Sequence, residues 1–154
     1  MLLFFVFLVF ATISSFNNRH PIRIGEPYGL HFFEPRYRVL IAEVMQDFPD
    51  SAKEGGPIEC ADGQSPPIFI HAHQHPLHEG ATAVLVQVIR VGIHPRDGRA
   101  DVFLLPIGYV RLERMWERPG THHLFYAQCL RYPTRFAPRL EAPAPRGMRM
   151  GMAW

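Results

Sequence analysis

The chain has 154 residues, 47% of them hydrophobic and 19% charged, which suits one domain with its own core and excludes a disordered polypeptide. Its formal charge of +2 is too small to single out nucleic acid as a partner. Fifteen prolines and twelve glycines cut the sequence into short elements, which favours a β-rich architecture over a helical bundle.

Residues 1–16, MLLFFVFLVFATISSF, form an apolar N-terminal segment that reads in two ways. Phe4, Phe5, Val6, Phe7, Val9 and Phe10 are strand formers in an unbroken run. The same length ending in small residues suits a signal peptide, though the usual basic start is missing. The run is too short to span a bilayer as a helix. A membrane partner is expected only if this segment is kept as an anchor, and the compartment is intracellular or, with a signal peptide, secretory.

Residues 17–31 are rich in turn formers, with a short extended piece around Ile22 and Ile24. Glu34-Pro35 predicts a helix start, since proline at the first helical position gives up no needed donor. Tyr37, Leu40, Ile41, Val44 and Met45 then recur at helical spacing as one apolar stripe, and Asp47-Phe48-Pro49 ends it. Residues 47–67 have loop chemistry without a sustained period, so a functional loop or a surface insertion is expected there.

PIFIHAH predicts the next strand and ATAVLVQVIRV a strand covered on both faces. HPRDGR predicts a hairpin connection, and ADVFLLPI follows it. After Gly108, YVRLERMW alternates as a half-buried strand, and HHLFYAQCLRY supplies another. About four strands therefore lie between residues 67 and 132, with one helix before them, an α+β or mainly β domain shaped as a curled sheet or small barrel. Residues 133–154 are rich in Pro, Arg and Met, with Glu141 their only acid, and read as an extended tail.

The histidine cluster is the first candidate for chemistry. His71, His73, His75 and His78 lie within eight residues, with Glu79 adjoining. In a strand His71 and His73 project to one face, where imidazoles could share a metal ion. The run His73-x-His75-x3-Glu79 resembles the first metal motif of the cupins, but Pro67 and Val86 stand where that motif has glycines. Histidines at a strand end without metal are the competing reading, and no cofactor is expected. Arg131, Tyr132, Arg135, Phe136 and Arg139 mix arginine with aromatics, as RNA-binding segments do, but are read in preference as a solvated basic tail. Cys60 and Cys129 lack the spacing of a zinc site and read as two reduced thiols, one disulfide being the alternative. No Gly-x-Ser-x-Gly elbow and no phosphate-cradling glycine loop is present, so neither protease nor ATPase chemistry is indicated.

Gly25-Glu26 followed by Leu30-His31-Phe32-Phe33-Glu34-Pro35-Arg36-Tyr37-Arg38 resembles the signature of the Lon protease N-terminal domain, also called the Lon substrate-binding domain. Ile24 replaces the proline of that family's turn, and Phe32 replaces an isoleucine. Gly80-Ala81-Thr82-Ala83-Val84, Asp97-Gly98-Arg99 and Gly108-Tyr109-Val110-Arg111-Leu112 extend the likeness across roughly residues 22–132. The resemblance implies a PUA-like fold, a small β-barrel with one inserted helix, over a domain at 17–132. It makes Phe33, Glu34, Pro35, Arg36, Tyr37, Arg38 and Gly108 residues of the fold rather than of catalysis. It further implies a non-enzymatic module for unfolded or extended polypeptide, standing alone or as part of a longer chain. The alternatives are a metal-dependent barrel enzyme and an RNA-binding PUA-like domain. A peptide surface is expected near Tyr28, the loop 48–66 or the HPLH turn.

Overall fold

The computed structural model describes residues 4–11, 22–72, 77–121 and 124–133. Seven strands and one α-helix follow in chain order: β1 (Phe4–Ala11), β2 (Tyr28–Phe32), α1 (Pro35–Val44), β3 (Glu54–Pro57), β4 (Ile68–Ala72), β5 (Thr82–Ile93), β6 (Ala100–Glu117) and β7 (Phe125–Arg131). The backbone ladder runs β6–β7–β1–β4–β5 and returns from β5 to β6, closing a ring of five strands. Among the described residues only the β1–β4 contact is parallel, with Val9 opposite Ile70 and Ala11 opposite Ala72. The longest strands, β5 and β6, run past the ring, and there β2 adds to β6 and β3 to β5. The result is the expected small mainly β barrel with one helix.

Two apolar clusters lie on opposite faces of the same strands, because side chains alternate along β structure. Phe69 of β4 and Val84, Val86 and Val88 of β5 join Tyr37, Leu40 and Ile41 of α1 in one cluster. Their neighbours Ile70, Ala72, Ala83 and Leu85 meet Val110, Leu112, Ala127 and Cys129 in the other. β5 is thus covered on both faces, as its apolar run predicts.

The helix begins where proline allows it. Glu34 is extended, Pro35 holds the first helical position, and Tyr37, Leu40 and Ile41 are buried. Phe32 is fully buried against Tyr37 and Phe69, whereas Phe33 points outward and is 57% exposed. Arg36 pairs with Glu34 at 3.0 Å and lies over the Tyr37 ring. Arg38 reaches from the helix to donate to the Asp97 carbonyl oxygen, 2.6 Å away.

Two expectations need correction. The segment 47–67 is not wholly irregular: Asp50–Lys53 forms a 3₁₀ turn, and Glu54-Gly55-Gly56-Pro57 pairs with β5 as an edge strand. Its glycines carry no strand signal, since the pairing is made by backbone alone. β6 is also one continuous strand across Pro106 and Gly108. Pro106 is tolerated because it borders a register shift, Val86 pairing with Pro106 and Leu85 with Gly108 so that Ile107 is extra, where a missing donor costs the ladder little. The Pro106 carbonyl oxygen accepts the Gly25 N–H at 2.9 Å.

Candidate functional site

Three places carry features beyond packing. The first is the outer face of β2 and its partner stretch of β6. Gly29, His31 and Phe33 alternate outward from the buried Phe32, and register sets Gly29 opposite Phe103 and His31 opposite Asp101. A Cβ added to Gly29 would stand 3.3 Å from the Phe103 ring, so the missing side chain lets that ring lie across β2. Phe103 remains 48% exposed. His31 Nδ1 lies 2.7 Å from an Asp101 carboxylate oxygen, and its ring stacks on Phe33. Among the described residues β2 is paired on one side alone, leaving a free strand edge beside two exposed phenyl rings.

The second place is the pair Tyr28–His71. His71 is buried on β4, and its Nδ1 lies 2.6 Å from the Tyr28 hydroxyl of β2. Burial raises the Tyr28 phenol well above the ordinary tyrosine range, so the hydroxyl keeps its proton. An O–H donated to Nδ1 places the imidazole proton on Nε2. Tyr28, expected near a peptide surface, thus turns its hydroxyl inward.

His73 and His75 lie outside the described residues. His78 is exposed, with Nδ1 2.9 Å from the Glu79 carbonyl oxygen, while a Glu79 carboxylate oxygen accepts the Met115 N–H at 3.2 Å. Among the described residues no three metal-binding side chains converge. Of the arginine and aromatic set, Arg131 and Tyr132 are described, and 135, 136 and 139 are not. Cys60 is exposed and Cys129 buried, both as free thiols.

The third place is a cleft of about 140 Å3 among β4, β5, β6 and β7, lined by Ile68, Leu85, Ile107, Val110 and Cys129, with Arg131 beside them. Sequence reading put Arg131 with the basic tail. The available signal was the period of two through Ala127, Cys129 and Arg131, which sets the arginine at the end of a buried row.

Among the described residues a closed ring of five strands with a single α-helix over one face defines a small β-barrel-like domain. Its particular form is that of Lon N-terminal domains. The chain is similar to the crystal structure of a Lon N-terminal domain protein from Xanthomonas campestris, with TM-score 0.53 and 15% identity over 82% of this chain and 59% of that one. It is also similar to the N-terminal domain of the Mycobacterium avium complex Lon protease, with TM-score 0.53 and 10% identity over 87% of this chain and 58% of that one. The chain therefore spans less than three fifths of either solved chain. No family model and no curated protein matches the sequence. At these identities the likeness is one of fold.

Proposed function

We propose that this domain is a non-catalytic module that holds extended polypeptide segments by strand addition along β2. The observation that carries the reading is the free edge of β2 next to the exposed rings of Phe33 and Phe103. An incoming strand would gain main-chain hydrogen bonds from the edge and apolar contact from the rings, the two ingredients of strand addition. The Lon N-terminal fold supports the same reading, because the sequence also carries the junction Phe33-Glu34-Pro35-Arg36-Tyr37-Arg38 of a substrate-binding domain.

Fluorescence anisotropy with a labelled, reduced and carboxymethylated model protein tests it. The expected result is saturable binding of this unfolded chain and none of its folded form. Substituting both Phe33→Ser and Phe103→Ser should weaken binding at least roughly tenfold, since burying one phenyl ring is worth about 1.5–3 kcal/mol. Unchanged binding by the double variant, with its circular dichroism intact, would sink the reading.

A further inference from the structure

Arg131 stands in an unusual row. β7 alternates so that Ala127, Cys129 and Arg131 share a face, and the first two are buried in the cluster of Leu112 and Val110. The β6–β7 register confirms that face, with Leu112 opposite Cys129 and Val110 opposite Arg131. A row of small apolar residues facing the cluster therefore ends in a guanidinium.

Its surroundings hold it beside the cleft. Gly108 is the neighbour, and a Cβ there would stand 3.4 Å from Arg131 Nε and 3.5 Å from Nη2, so the guanidinium lies close over the glycine backbone. Nη2 is 3.4 Å from the Ile107 carbonyl oxygen, a weak contact that leaves donors to spare. Among the described residues no acid lies within ion-pair distance of Arg131, unlike Arg36, Arg99, Arg111 and Arg118. The cleft itself is apolar, and the buried Cys129 is part of its lining. Its volume of about 140 Å3 is close to that of an apolar cavity, about 150 Å3, that admits benzene. That room fits one leucine- or phenylalanine-sized side chain, and ligand sites are typically concave and mostly apolar with a few polar groups.

An apolar side chain and a carboxylate a few ångströms from it occur together at the last residue of a polypeptide. We infer that the cleft binds the C-terminal residue of a partner polypeptide, its apolar side chain among Ile68, Leu85, Ile107 and Val110 and its carboxylate on Arg131. This rests on the polypeptide-binding reading above and adds an end-specific site to the strand edge. Charge complementarity selects the occupant, since an amidated or internal residue offers Arg131 no anion.

The test uses the full chain and two labelled ten-residue peptides ending in leucine, one with a free carboxylate and one amidated, followed by anisotropy. The free acid should bind roughly tenfold or more tightly than the amide, the size expected of a charge-assisted hydrogen bond. Arg131→Gln should abolish that difference and Arg131→Lys restore part of it, and circular dichroism should show both variants folded, since the residue is exposed. Methyl signals of Ile68, Leu85 and Ile107 should shift with the free acid. Equal affinity for acid and amide overturns the C-terminal site but leaves strand addition standing. No affinity for either peptide also overturns it, and if the unfolded model protein fails to bind as well, the polypeptide reading falls with it.

Discussion

The Tyr28 hydroxyl and His71 Nδ1 meet at 2.6 Å, linking a strand outside the barrel ring to one inside it. Among the described residues the backbone of β2 pairs with β6 alone, so this side-chain bond joins the Phe32–Phe69 contact in tying β2 to β4 beneath the proposed peptide edge. Tyr28→Phe keeps the ring and removes the donor. A loss of about 1–2 kcal/mol is expected, because His71 is buried and its ring nitrogen loses a partner. Urea unfolding measures it, and hydrogen exchange at residues 28–32 should speed up more than exchange in β7. An unchanged midpoint would show that the bond contributes nothing to attachment.

Alkaline pH should weaken the fold through three buried acids. Burial pushes the Tyr37 phenol up to about 12, against the opposing effect of Arg36, and the Cys129 thiol also up to about 12. It holds the Tyr28 phenol high as well. Folded values above unfolded ones mean that the unfolded chain loses these protons first as pH rises. Their stabilising contribution is complete below an unfolded thiol value of 9.0 and is lost progressively from there towards 12. The urea midpoint should accordingly fall above about pH 9, and Tyr28→Phe should make that fall shallower. A midpoint that rises across the same window would contradict the assignment.

The two thiols should separate cleanly in reactivity. Cys60 is exposed, while Cys129 is buried and its raised pKa suppresses the thiolate. Titration with an aromatic disulfide should count one fast thiol in the native protein and two after denaturation. Rapid reaction of both in the native state would mean that the cleft lining around Cys129 is open to reagent.

Much of the fold is written in local pattern. The α1 stripe from Tyr37 to Met45 could be read because a helix must bury one face, and the alternation of Val110, Leu112 and their outward neighbours could be read because a strand buries every second residue. Pro106 hid the continuity of β6, since the register shift beside it, with Ile107 as the extra residue, shows only in the pairing with β5. β3 was hidden for the opposite reason, its Gly55 and Gly56 offering no side-chain preference at all. Among site residues, Tyr28 could be marked as notable but not its bond to His71, which joins positions 43 apart. Arg131 was legible in principle, yet the arginines that follow it drew it into the tail.

Glu43 should act as a clamp between α1 and the far end of the sheet. Its carboxylate accepts a short hydrogen bond from the Tyr126 hydroxyl, and Arg118 Nη1 lies 2.9 Å from the other oxygen, close but not aligned as a hydrogen bond. The Tyr126 ring in turn stacks on Trp116. Glu43→Gln keeps an acceptor for Tyr126 and discards the ion pair, so about 1 kcal/mol should be lost at this mostly buried position. Glu43→Ala strips both and should cost about 1–2 kcal/mol. A double-mutant cycle with Tyr126→Phe measures the coupling, and additive losses would show that the two groups do not act together.

Arg38 and Gly98 define the last expectation, at the turn between β5 and β6. The turn is closed by His94 N–H to the Arg99 carbonyl at 2.7 Å and Gly98 N–H to the His94 carbonyl at 2.9 Å. Gly98 has φ of 74°, a conformation that disfavours a side chain. Arg38 packs its stem against this glycine and donates to the Asp97 carbonyl, so the helix steadies the turn from outside. Arg38→Met would keep the stem and lose the donor, while also removing a buried Nε that lacks a partner. The two effects oppose each other, and the net cost should stay near 1 kcal/mol. Gly98→Ala should cost about as much through backbone strain alone. What distinguishes them is exchange: Arg38→Met should loosen the amides of residues 94–99 while leaving β5 and β6 protected, and protection lost throughout both strands would show that Arg38 supports the barrel rather than its turn.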